Sequence, residues 1–177
     1  MCRLHCRDRG LDPVLLEADM TAFVRPGAYQ AVIIPAGSFE LLDGSQAAHQ
    51  ALACFHESLV PGGRLMLDID PPQLVTGPEP PRFWRRDSRL WTLQVMHAWY
   101  DSAANQTTRL LRYEKWQDGA LIATELQWFR LQHWSLREFE GLLTGAGFTD
   151  ILVTADHRAD RRPGPDSDIW TFHATRP

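Results

Sequence analysis

The sequence predicts an α/β protein: a largely parallel sheet flanked by helices, with a second, antiparallel sheet inserted into it. Three observations carry that expectation. Continuously apolar runs alternate with helical patterns over residues 1–75 and again over 135–177. Such runs read as strands of a parallel sheet, whose two faces are covered by helices. They follow one another through short links, as a parallel sheet requires. Residues 76–134 differ: six of the seven tryptophans lie there, in runs that alternate with period two. The expected division is an α/β core over 1–75 and 135–177, with an inserted aromatic-rich sheet over 76–134.

Residues 1–9 read as the tail of a helix. Residues 13–19 (PVLLEAD) and 29–37 (YQAVIIPAG) read as strands buried on both faces. Residues 45–60 place Ala48, Leu52, Phe55 and Leu59 on one helical face, with Ser45 as N-cap and Pro61-Gly62-Gly63 as the stop. Residues 64–70 (RLMLDID) form a third buried strand. The stretch 71–82 holds five prolines and reads as an irregular connector.

Residues 89–101, 107–117 and 120–134 read as an antiparallel meander of three strands, the last two joined by Asp118-Gly119, a two-residue hairpin signal. Ser135 and Glu138 form a capping box ahead of the apolar stripe Leu136, Phe139, Leu142 and Leu143, and Gly145 and Gly147 end that helix. Two strands, 150–157 and 169–177, close the chain around a polar loop.

Composition bounds the function. With 177 residues, 44% hydrophobic and 23% charged, the chain can bury one ordinary core and is not wholly disordered. A net charge of −4 without a basic stripe argues against a dedicated nucleic-acid binder. No apolar run approaches the ~20 residues that span a bilayer. Three cysteines make no disulfide framework, and the first residues carry no secretory pattern, so a cytoplasmic protein is expected.

Several motifs bear on chemistry. Gly145-Ala146-Gly147 follows a helix, so it is a C-cap rather than a dinucleotide fingerprint. Cys2, His5 and Cys6 share a helical face but lack a fourth ligand, and no metal is expected there. Asp68-Ile69-Asp70 ends a strand on the side of a parallel sheet where ligands bind. The same pair would suit a divalent cation in a nucleotide-sugar transferase, which is one alternative. His97 and His133, in the aromatic region, are the candidate catalytic histidines; no nucleophile motif accompanies them. The aromatic sheet reads as a lid over the loop side of the main sheet, with Trp91, Tyr113 and Trp128 as candidate substrate-binding residues.

The order of these pieces resembles the later two-thirds of a class I S-adenosylmethionine-dependent methyltransferase of the small-molecule type. Residues 13–20 are similar to that family's strand followed by an acidic residue that contacts adenine. Residues 29–39 resemble its central fourth strand and the loop under the methionine moiety, and residues 52–70 its most recognisable helix–strand unit. Residues 136–148 resemble the helix that ends in Ala146-Gly147-Phe148 before the final hairpin. The aromatic region sits where N- and O-methyltransferases of this fold insert a substrate-binding sheet. The family's first strand, its glycine-rich loop and the acid ending its second strand are expected to have no counterpart here.

The resemblance implies an incomplete Rossmann-like methyltransferase sheet, drawn from the family order 3-2-1-4-5-7-6, and S-adenosylmethionine as cofactor. It implies that Asp19 accepts from the adenine amino group, that the Met20 backbone meets the ring edge, and that Pro35, Ala36 and Gly37 line the methionine part. The implied reaction is methyl transfer to a nitrogen or oxygen of a small metabolite, by in-line displacement. The alternative is a non-catalytic remnant, or half of an assembly, that binds a ligand or partner. Apolar strands with open edges invite pairing, so a homo-oligomer joined through strand edges is expected.

Overall fold

The structure, a computed structural model, describes residues 2–72 and 79–177. Residues 73–78, the middle of the proline-rich connector, lie outside the described residues, so the expectation for that stretch is not addressed. The chain opens with α1 (Cys2–Asp8) and then runs without regular structure to β1 (Tyr29–Ile34). A single 3-10 turn (Ser38–Leu41) leads to α2 (Gly44–Ser58) and β2 (Leu59–Ile69). The inserted sheet follows as β3 (Arg82–Arg86), β4 (Arg89–Asp101), β5 (Gln106–Gln117) and β6 (Ala120–Gln132). The chain ends with α3 (Leu136–Gly145), β7 (Thr149–Ala155) and β8 (Trp170–Thr175).

The first sheet has the order β1-β2-β8-β7. β1 and β2 are parallel, while β8 is antiparallel to both β2 and β7. That is the 4-5-7-6 part of the order the resemblance implied. β8 slots between β2 and β7, so the closing hairpin does not simply extend the sheet.

Helix α2 buries Ala48, Ala51, Leu52 and Phe55, spaced to share one face. Its N-cap is Asp43 rather than Ser45, and it ends at Ser58 because Leu59 turns extended. Pro61-Gly62-Gly63 instead makes a bulge inside β2, where the register with β1 jumps from Tyr29↔Leu59 to Ala31↔Arg64. Arg176 pins the bulge: Gly62 N–H donates to its carbonyl and its own N–H donates to the Gly63 carbonyl. Helix α3 has the expected capping box, with Glu138 N–H on Ser135 Oγ at 3.3 Å and Ser135 N–H on Glu138 Oε2 at 2.7 Å. Gly147, at φ +91°, closes it while Phe148 N–H reaches the Leu143 carbonyl; Gly145 stays helical.

Both helices contribute to one core with Phe39, Leu65, Leu67, Ile69, Phe139 and Phe172. Trp134 packs there too, against Phe39 and Phe139, so this tryptophan serves the α/β core and not the inserted sheet. The opposite face of the sheet is open. Ile33 is 60% exposed, and with Met66, Leu152 and His173 it lines a trough of about 660 Å³. The expectation that the apolar strands are buried on both faces is therefore corrected: the core that contains α2 and α3 covers one face only.

Residues 13–19 are a second correction. They form no strand, and Val14 is 83% exposed. A strand needs a neighbour to take its backbone hydrogen bonds. Among the described residues none pairs with this segment, whose Leu15 carbonyl accepts instead from the Arg3 guanidinium at 2.8 Å.

The inserted sheet has four strands, order β3-β4-β5-β6, rather than three. β3 folds back on β4 through Asp87-Ser88, Asp87 at φ +55°, and pairs Trp84 with Trp91. The expected Asp118-Gly119 hairpin is present, both residues at positive φ. Bulges after Val95 and after Lys115 shift which side chains share a face.

Candidate active site

The chain leaves β1 through Pro35, Ala36 and Gly37, at the C-terminal end of the parallel pair. In open α/β sheets this is where ligands bind. Ala36 and Gly37 are both left-handed, at φ +56° and +65°. For Ala36 that conformation is costly and is secured by its N–H, which donates to Asp68 Oδ2 at 3.1 Å. Gly37 has no room for a side chain: a Cβ would stand 2.8 Å from Glu40 Oε2 and 3.5 Å from Asp70 Oδ1. The bare backbone of Gly37 thus faces two carboxylates.

Glu40, 1% exposed, is the centre of a buried relay. Its Oε2 accepts from the Asp70 N–H at 2.9 Å. Its Oε1 lies 3.2 Å from His133 Nδ1. His133 Nε2 in turn lies 2.8 Å from Thr107 Oγ1, on β5. Burial pushes the Glu40 carboxyl above the usual carboxylate range, with His133 and the Asp70 N–H opposing. The relay ties the turn after β1 to the inserted sheet.

His133 is 5% exposed and has both ring nitrogens engaged inside the protein, so it presents no nitrogen to a substrate. His97 lies on the sheet's outward face, beside Trp99 at 5.5 Å. The register also separates the three candidate substrate residues. Tyr113 pairs with Leu93 and shares the inward face with Val95, Leu111 and Trp91. Trp128 pairs with Leu110, which pairs with His97, on the outward face; it is 59% exposed and meets Trp99 edge to face.

The inward face holds a cavity of about 190 Å³ walled by Glu79, Leu93, Arg109, Tyr113 and Phe129. Trp91 does not line it. Arg109 stands 3.8 Å from Glu79 and acts electrostatically on Asp70. It is part of the cavity wall.

Asp68 and Asp70 have different surroundings. Asp68 is buried, with Oδ2 on Ala36 N–H and Oδ1 accepting from Thr171 Oγ1 at 2.7 Å. No group of three or more metal-ligating side chains occurs among the described residues. Asp70 is half-buried, and burial raises its carboxyl above the usual range, with Arg109 opposing.

Asp19 is placed in a turn. Its Oδ1 accepts from Thr21 N–H and Thr21 Oγ1, both at 2.8 Å, and these bonds hold its carboxyl below the usual range. Met20 reaches the core and lines an apolar slot of about 210 Å³ with Ala18, Phe23, Val32 and Ile34. The slot runs beside β1, against Tyr29, Val32 and Ile34. Sequence reasoning missed Glu40, Glu79, Arg109 and Thr107; only the position of Glu40 just past a Pro-Ala-Gly turn offered a signal.

Solved structures share this architecture. A S-adenosylmethionine-dependent methyltransferase from Clostridium acetobutylicum ATCC 824 matches with a TM-score of 0.79 at 14% identity, over 98% of this chain and 68% of that one. KedS8, a sugar N-methyltransferase from Streptoalloteichus sp ATCC 53650, matches with a TM-score of 0.73 at 16% identity, over 97% of this chain and 66% of that one. CalS10, an amino pentose methyltransferase from Micromonospora echinaspora with S-adenosylmethionine bound, matches with a TM-score of 0.69 at 18% identity, over 90% of this chain and 63% of that one. This chain thus spans about two thirds of the length of these proteins. No family model and no curated protein matches the sequence. The strand order and these likenesses together give the chain the fold of the class I S-adenosylmethionine-dependent methyltransferases.

Proposed function

We propose that the chain carries the methionine side and the acceptor side of a methyltransferase site, and serves methyl transfer from S-adenosylmethionine to an amine of a small metabolite. The observation that carries the reading is the Gly37 turn. Bare left-handed backbone meets Asp70 at the end of the parallel strands, and Arg109, whose charge favours the Asp70 carboxylate, lines a cavity on the inward face of the inserted sheet. The residues present fit the cofactor at two places. Pro35, Ala36 and Gly37 would line its methionine part, where a glycine allows close approach. The apolar slot at Met20 would take the flat adenine ring, with Asp19, next in the chain to the lining residues Ala18 and Met20, for the amino group.

When bound, the cofactor supplies an electrophilic methyl group on a sulfonium. The protein's part is orientation and the handling of one proton. Tyr113 would contact the acceptor within the cavity. Trp91 shares that face outside the cavity, whereas Trp128 and His97 belong to the outward face. A nitrogen acceptor is favoured over oxygen because the Asp70 carboxylate at the Gly37 turn would attract an ammonium group. The sugar N-methyltransferase and the amino pentose methyltransferase of the same fold agree with that choice. The test is incubation with S-adenosylmethionine bearing a labelled methyl group and a panel of primary amines. Label in an amine supports the reading; label in hydroxyl compounds alone contradicts the nitrogen assignment.

A second reading is favoured by the open sheet face and by the edge of β1 that has no strand partner among the described residues. In it the chain works as part of an assembly, with a second copy pairing at that edge. Cys54 is a buried free cysteine, which suits a reducing, cytoplasmic setting for either reading.

A further inference from the structure

We infer that Asp70 is the catalytic carboxylate of this site: it receives the ammonium group of the acceptor and takes one of its protons, leaving a neutral amine. The inference rests on the methyltransferase reading above and names the residue that prepares the acceptor.

Elimination among the neighbouring carboxylates comes first. Glu40 has one oxygen on the Asp70 N–H and the other facing His133. Asp68 has one on the Ala36 N–H and the other on the Thr171 hydroxyl. Glu79 has one toward Arg109 and the other toward Arg82. Asp70 alone of the four has carboxylate oxygens without a hydrogen bond or ion pair among the described residues. Its main chain is nevertheless held firmly, because its N–H is anchored on buried Glu40 and thereby on His133 and Thr107. A fixed backbone bearing an unengaged carboxylate is what a proton acceptor needs.

Position is the second argument. Asp70 is the first residue past β2, and its Oδ1 would lie 3.5 Å from a Cβ on Gly37. An acceptor nitrogen beside the Gly37 turn is therefore within reach of it. Beyond Arg109, the walls of Leu93, Tyr113 and Phe129 offer apolar contact for the body of the acceptor.

The groups facing Asp70 are Glu40 from the 3-10 turn, Asp68 from β2, Arg109 from β5 and His133 after β6. Burial and Asp68 favour its protonated form, while Arg109 and His133 favour the carboxylate. Away from water an ammonium beside a carboxylate loses ground to the neutral amine and neutral acid. The N–H bond breaks with its electron pair left on nitrogen, an O–H bond forms on Asp70, and the proton later passes to water.

Carboxyl NMR of the wild-type chain, titrated with pH in excess glucosamine and again in excess glucose, tests the assignment. Glucosamine is the ammonium probe and glucose its uncharged counterpart. The expected result is that glucosamine moves the Asp70 titration to higher pH, because the carboxyl then holds the proton taken from the ammonium, and glucose does not. Asp70→Asn should weaken glucosamine binding by about tenfold or more, the loss expected for a charge-assisted hydrogen bond. An Asp70 titration unmoved by glucosamine or moved to lower pH, or equal effects of the two sugars, overturns the assignment. S-adenosylhomocysteine titrated into the same wild-type sample reads the cofactor side separately, so failure there is distinct from failure at Asp70.

Discussion

His133 Nδ1 and Glu40 Oε1 face each other at 3.2 Å with both side chains buried, and through them the inserted sheet is joined to the turn after β1. Neither atom has another partner among the described residues. The pair matters because a buried carboxylate is costly unless its oxygens are met. Glu40 meets that condition with one contact from each part of the molecule.

Removing His133 should therefore be severe. His133→Ala leaves Glu40 buried and half-unpaired, a change that typically costs about 3–5 kcal/mol. The folded-state carboxyl of Glu40 is raised, so the stability it permits is full at acid pH and is lost as pH rises from the ordinary carboxylate range through the folded value. Without His133 to oppose the rise, that loss should continue to higher pH. Urea melts of both proteins across pH will show it; parallel pH curves would contradict the pairing.

Gly37→Ala tests the close approach. The new Cβ would stand 2.8 Å from Glu40 Oε2, on a backbone at φ +65°. The left-handed conformation alone costs about 1–2 kcal/mol for a non-glycine residue. A loss at least that large is expected in thermal melts, with Glu40 displaced. An unchanged melt would mean that the turn is not held where the structure has it.

The cap of α3 is a control far from the site. Ser135→Ala removes the acceptor for Glu138 N–H and should cost about 1 kcal/mol. The loss should be independent of pH across the range where Glu40 titrates, which separates local helix effects from the buried relay.

The open sheet face gives a prediction about association. Ile33 on β1 and Met66 on β2 are exposed beside the edge of β1 that has no strand partner among the described residues, and Leu152 is exposed on the same face at the far edge, on β7. Exposed apolar strands with an open edge pair with one another. Sedimentation at micromolar concentration should show a dimer of the 20.2 kDa chain, and Ile33→Arg should return it to the monomer. A wild-type monomer would argue against pairing at this edge.

What the sequence made legible follows from how local each feature is. The capping box of α3 and the Asp118-Gly119 hairpin are fixed by residues a few positions apart, and both are present. Residues 13–19 have the composition of a buried strand, yet composition cannot supply the neighbour a strand requires, and none among the described residues pairs with them. β3 was hidden because the prolines before it obscure a five-residue run whose pairing depends on β4. The site divides in the same way. Gly37 and Asp70 lie at strand ends and can be placed from the strands themselves. Glu40, Thr107 and His133 come from three separate stretches, and only the docking of the two sheets brings them together. The bulge after Val95 is why His97 falls on the face opposite Trp91, a shift that simple alternation does not reveal.

The central claim is that the Gly37 turn and the Met20 slot hold the methionine and adenine parts of one cofactor. Calorimetric titration of the 177-residue chain with S-adenosylhomocysteine tests it most directly. The account predicts saturable one-to-one binding that is weakened by Gly37→Val, whose side chain would fill the approach to the turn. Absence of heat at concentrations that keep the chain folded, or binding indifferent to Gly37→Val, would contradict it.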